Sequence, residues 1–149
     1  MCKKLLRHDL HCIEVIEAPL HGKTKGLYID GVIIINKFMS NPEKNCILAE
    51  ELGHYHTSHG NILDQTDVRN RKQERRARGW AYEELIPVHS FLEAYWVGIS
   101  TRYELAEFLE VTEGFLSEAI QYYKEKHGPY CAIDNYLIYF EPLGVFEKI

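Results

Sequence analysis

No stretch of this 149-residue chain approaches the ~18 apolar residues that a bilayer-spanning helix needs, which excludes a helical membrane protein. The residues from Met1 to Asp9 reach a charge before any apolar run of signal-peptide length, so the expected location is the cytoplasm. Cysteine is sparse. Cys2, Cys12, Cys46 and Cys131 lie far apart without a Cys-x-x-Cys pair, which argues against a disulfide framework or zinc knuckle and for four reduced, mostly buried thiols. Positive charge is in deficit: the net charge of -5 argues against general nucleic-acid binding. Repeats, low-complexity tracts and linkers are missing too, so the expectation is one α+β domain over 1–149. A chain of this length buries roughly 70% of its unfolded surface and needs no metal merely to fold. Any metal it holds therefore serves function.

Hydrophobic residues make up 46% of the chain, and their spacing predicts the elements. Cys2 to Leu10 reads as a short amphipathic helix, and Ile13 to Glu17 alternates as a half-buried strand does. Gly26–Ile29 and Val32–Ile35 flank Asp30-Gly31, a pair suited to positive φ, which predicts an antiparallel hairpin and hence a small antiparallel sheet. Asn41 as N-cap, with Pro42 and Glu43 behind it, opens a helix expected from Pro42 to Ser58. A second long helix ends before Pro87. Phe91 to Gly98, Arg102 to Glu110 and Glu113 to His127 form a helical element at about 90–127, and Tyr136 to Phe140 reads as a final strand.

Within the first long helix, seven of the ten residues from Cys46 to Tyr55 are apolar or Gly, yet Glu50, Glu51 and His54 sit among them with no Lys or Arg. Carboxylates taken out of water unpaired cost several kcal/mol, so these acids imply protonation, a cation from elsewhere or a metal ion. Glu50 and His54 stand at i and i+4, a spacing at which two side chains can share one ion. On the second helix, Glu74 lies on the side that carries Ala77 and Ala81, opposite the exposed basic face of Arg71, Lys72, Arg75, Arg76 and Arg78. Small residues there let the helices approach closely, which would carry Glu74 to the Glu50/His54 pair. Two ligands from one helix, a carboxylate from the next and a water match the logic of an open catalytic zinc site. Plainer readings stand beside this one. Glu50 and Glu51 can be a solvated acidic pair, His54 a hydrogen-bonded core residue, and Glu74 the i+4 partner of Arg78. His56 and His59 read as exposed residues at a helix end, with His59 a lesser candidate to support the metal. Ser100 to Lys126 has the look of a helix-turn-helix, but three basic against six acidic residues from Arg102 to Lys126 make it a packing element, with no DNA contact expected.

Three blocks together resemble the ImmA/IrrE family of metallo-endopeptidases, in length its short phage and mobile-element members. They are the hairpin from Gly26 to Asn36, the stretch Leu48-Ala49-Glu50-Glu51-Leu52-Gly53-His54, and Glu74-x-x-Ala77-x-x-Trp80-Ala81 running into Leu85-Ile86-Pro87. The helical element and the tail from Tyr139 to Val145 are similar as well. The resemblance implies a zincin-like peptidase domain in which the sheet packs against a metallopeptidase-like helix pair. By position it makes Glu51 the general base and His54 and Glu74 metal ligands. Glu50 stands where the family has its first His, so the implied site for one divalent ion has two carboxylates and one imidazole. Zinc tolerates that set, and its harder donors also suit manganese or iron(II).

These readings lead to a metal-dependent endopeptidase that cuts a protein substrate, by resemblance a helix-turn-helix repressor of a phage or mobile element. The alternative is a non-catalytic regulatory module that keeps the fold and binds a repressor or other protein partner.

Overall fold

The computed structural model describes residues 13–57 and 68–149. The sequence readings on Cys2 to Leu10, Cys2, Cys12 and His59 lie outside them. The chain divides into two compact units, 1–85 and 86–149.

In the first unit, β1 (Glu14–Ala18), β2 (Gly26–Ile29) and β3 (Val32–Asn36) form a sheet in the order β1-β3-β2. The turn between β2 and β3 has Asp30 at φ 46° and Gly31 at φ 85°, the left-handed pair that a tight hairpin requires. β2 is antiparallel to β3 as expected, whereas β1 adds to β3 in parallel, so this sheet is mixed rather than antiparallel. The reason is burial: β3 is the most apolar strand, its Ile33 and Ile35 are buried, and it takes the centre with the less apolar strands on either side.

Helix α1 (Asn41–Thr57) packs on this sheet, and α2 (Val68–Leu85) packs on α1. The start of α1 is capped by Ser40, one residue earlier than the sequence suggested. Ser40 N–H and Oγ–H donate to Glu43 Oε2 at 2.8 and 3.0 Å, and Glu43 N–H lies 3.4 Å from Ser40 Oγ, a reciprocal capping box. Lys44 reaches back to Glu17 at 3.2 Å and ties this helix to β1. On α2, Ala77, Ala81, Tyr82 and Leu85 are buried, whereas Arg71, Lys72, Arg75, Arg76 and Arg78 are exposed, as the wheel of this helix requires.

In the second unit, α3 (Ser90–Trp96), α4 (Arg102–Leu109) and α5 (Glu113–His127) follow within one or two residues of the expected bounds. Thr101 and Thr112 cap α4 and α5, each hydroxyl accepting at 3.1 Å from the N–H three residues on. Beyond α5 the single expected final strand is the middle of an antiparallel sheet of β4 (Tyr130–Ile133), β5 (Tyr136–Phe140) and β6 (Leu143–Glu147). The flanking strands escaped the sequence because their side chains are half-exposed, while β5 buries Ile138 and Phe140. Around them Tyr123 stacks on Phe140 and Phe91 meets both edge-on in a buried aromatic core, and Tyr123 Oη–H donates to the Ile86 carbonyl at 2.7 Å. Among the described residues no helix is long and apolar enough to cross a membrane.

Candidate active site

Helix α1 is held between β2 and α2, and two glycines set how closely. A Cβ added to Gly26 on β2 would lie 2.6 Å from Ile47 Cγ2 and 3.4 Å from both Cγ and Oε1 of Glu51. The strand backbone therefore runs directly against the Glu51 side chain. On the other side of α1, a Cβ on Gly53 would overlap the Ala77 carbonyl oxygen and stand 3.0 Å from its carbonyl carbon. The two helices cross backbone to backbone at this point, which is why small residues occupy both positions.

That crossing brings Glu74 to His54. His54 Nε2 and Glu74 Oε2 are 3.5 Å apart, with both side chains largely buried, and the other carboxylate oxygen of Glu74 accepts from Arg78 Nε at 3.2 Å. Glu74 thus meets His54 with one oxygen and pairs with Arg78 through the other, the second being the plainer of its two readings. Arg78 is half-exposed, so solvent screens its charge. His54 Nδ1 is buried and meets no hydrogen-bond partner among the described residues.

Glu51 stands out electrostatically. Burial first, then the charges of Glu50 and Glu74, push its carboxyl from the ordinary 4.5 up to about 7. Glu50 is half-buried on the same helix, and its charge is felt at Glu51. The four residues singled out in the sequence therefore share one neighbourhood, although they do not all meet at one point.

The donor set fits a metal ion in part. Two ligands held tetrahedrally ~2.0 to 2.2 Å from an ion stand ~3.3 to 3.6 Å apart, the separation seen between His54 and Glu74 and long for a good hydrogen bond. Among the described residues, however, no three His, Cys, Asp or Glu side chains are grouped closely enough to hold one ion. Glu50 does not complete the set that the sequence implied: being one turn from His54 puts it on the right face, but side-chain direction decides whether its oxygens arrive.

Beside these residues runs a line of rings that the sequence did not single out. Tyr28 on β2 meets Tyr55 on α1 at 5.8 Å between centroids, Tyr55 meets His56 at 5.0 Å, and His56 stacks on Trp80 of α2 at 4.8 Å. His56, read as an exposed helix-end residue, is exposed and part of this line. The available signal was spacing: Tyr55 lies one turn beyond Glu51, and Tyr28 two strand positions beyond Gly26.

Residues 9–121 match the model of the IrrE N-terminal-like domain, a peptidase family, and that stretch contains Glu50, Glu51, His54 and Glu74. The chain belongs to this ImmA/IrrE family. No individual curated protein matches it. Membership supports metallopeptidase-type chemistry, and the family match spans the first unit and runs into α5, ending before the sheet β4-β5-β6.

Proposed function

We propose that the chain is a metal-dependent endopeptidase of the cytoplasm, acting on a helix-turn-helix repressor of a phage or mobile element. The observation that carries this reading is the 3.5 Å approach of His54 Nε2 to Glu74 Oε2, on the helix whose Glu51 faces strand β2. The repressor substrate rests on the resemblance to the short family members.

His54 and Glu74 would hold a zinc, manganese or iron(II) ion, with Glu50 turning in as the third donor of the family pattern, and the ion would supply Lewis-acid activation of water and of the peptide carbonyl. Glu51 accepts the proton that the attacking water gives up as the C–O bond forms, and delivers it to the amide nitrogen as the C–N bond breaks. Its burial suits it to exchange a proton near neutral pH. Among the described residues β2 is paired on one side only, so its outer edge offers N–H and C=O groups to an extended substrate chain. Gly26 keeps that strand close to Glu51, and Arg78 orients the Glu74 carboxylate.

Elemental analysis of protein purified without an affinity tag, together with incubation against helix-turn-helix repressors of phages and mobile elements, tests the reading. About one divalent ion per chain and cleavage that a chelator abolishes are expected. Glu51→Gln should retain the ion and slow cleavage ~10²- to 10⁴-fold. Cleavage undiminished by chelator or by Glu51→Gln would overturn it.

The binding-module reading draws on a different observation, the absence of a three-donor group among the described residues together with the Arg78 pair on Glu74. It expects tight, chelator-insensitive repressor binding with no cut product.

A further inference from the structure

The rings of Tyr28, Tyr55, His56 and Trp80 differ from the buried core rings of Phe91, Tyr123 and Phe140 in one respect, and unlike the exposed rings around Tyr136 and Tyr139 they lie beside Glu51. Phe91, Tyr123 and Phe140 are 3%, 2% and 1% exposed, as core rings are, whereas Tyr28 and Tyr55 are each 40% exposed although they touch. Large rings in mutual contact that still face solvent have apolar area left to bury.

Their position says what would bury it. Gly26 and Tyr28 lie two residues apart on β2, on one face and ~6.8 Å from each other. Glu51 and Tyr55 lie one turn apart on α1, ~6 Å along the axis. The two pairs run in step, Gly26 against Glu51 and Tyr28 against Tyr55. An extended peptide paired with the outer edge of β2 also turns alternate side chains to one face. Its residue beside Tyr28 is therefore two positions away from its residue beside Gly26 and Glu51.

We infer that Tyr28, Tyr55, His56 and Trp80 form a subsite for one large apolar or aromatic side chain of an extended peptide, two residues from the bond that Glu51 addresses. This rests on the peptidase reading for the bond, though the rings and the strand edge can bind peptide whether or not a bond is cut. Tyr28 and Tyr55 supply the exposed ring faces, and the His56–Trp80 stack forms the wall that continues onto α2. A side chain of this class loses apolar area to water on entering and gains ring contacts of the edge-to-face or offset kind.

The test uses the full chain carrying Glu51→Gln and Trp96→Phe, which leaves Trp80 as the single tryptophan and slows any turnover far below the time of a titration. Blocked octapeptides of Ser and Ala, each with one Phe, are titrated while Trp80 emission is followed, with the Phe-free peptide as comparison. We expect saturable emission changes with the Phe peptides, about tenfold weaker binding without Phe, and a three- to tenfold loss in Tyr28→Leu and in Tyr55→Ala. If Tyr55→Ala melts well below the parent, Tyr55→Leu replaces it, keeping bulk and removing the ring. On active protein, cleavage of the same peptides should favour Phe two residues from the cut bond. Emission that ignores Phe, affinity unchanged by both tyrosine variants, or a preference at the residue next to the cut would overturn the subsite. Phe-dependent binding lost in the tyrosine variants, with no peptide or repressor ever cut, would keep the subsite and refute the peptidase reading.

Discussion

The α-carbon of Gly53 faces the carbonyl of Ala77 with no room for a side chain: an added Cβ would stand 3.0 Å from the carbonyl carbon and 3.3 Å from Cα, overlapping the oxygen. One residue along α1, His54 meets Glu74, one turn back from Ala77 on α2. The separation of the helices at Gly53 thus sets the separation of the two donor side chains.

Gly53→Ala should therefore force α2 away from α1. Overpacking of this kind costs about 1–3 kcal/mol, and the loss comes despite the better helix propensity of Ala. Thermal melting should show a lower Tm, and bound metal should fall with it. An unchanged Tm would mean that the helices slide apart freely, and would remove the argument that this crossing positions the site.

In chelator-treated protein, stability should fall as pH rises from 4.5 to about 7. Over that window the folded chain keeps a proton on Glu51 that the unfolded chain has released, because burial and the charges of Glu50 and Glu74 oppose its ionisation. The folded state is thus favoured at the acid end, and the benefit is gone above pH 7. Glu51→Gln cannot ionise, so its Tm should not show this fall and should exceed that of the parent above neutral pH. Parallel Tm profiles for the two proteins would show that Glu51 titrates normally.

Glu50 and Glu51 share their chemistry and differ in assigned work. Glu50→Gln should lower metal content, since an amide donates less well than a carboxylate and lacks its charge, whereas Glu51→Gln should keep the metal. Glu50→His restores the family's pair of imidazoles and should keep or tighten zinc binding, measured by competition with a chromogenic chelator. If Glu51→Gln were the variant that loses the ion, the two roles would be reversed.

Arg78 competes with any cation for the Glu74 carboxylate. Because its side chain is half-exposed, the pair is worth about 0.2–1 kcal/mol, so Arg78→Ala should tighten metal binding roughly 1.5- to fivefold. Weaker binding in this variant would instead show that orienting Glu74 matters more than its free charge.

Local signals in the sequence determined much of this protein. Asp30-Gly31 specified its hairpin because few other pairs accept two positive φ values in succession. The helices Arg102–Leu109 and Glu113–His127 follow from 3.6-residue spacing and their Thr caps, and the buried side of α2 from Ala77, Ala81 and Leu85. The Ser40–Glu43 capping box was missed, because the Asn-Pro pair drew the cap one residue too late, to Asn41. Glu50, Glu51, His54 and Glu74 stood out as acids and an imidazole among apolar or small residues. Tertiary structure alone decided the rest. Alternation marks β1 as a strand but not that it joins β3 in parallel, and β5 stood out by its unbroken run of apolar β formers, which the shorter or Gly-interrupted β4 and β6 do not match. Whether donors converge depends on where two helices cross and how each side chain turns. So His54 meets Glu74, Glu74 also meets Arg78, and Glu50 joins no three-donor group among the described residues. The line from Tyr28 through Tyr55 and His56 to Trp80 is likewise drawn by three elements far apart in the chain. Periodicity records which face of an element is covered, and only packing decides what covers it.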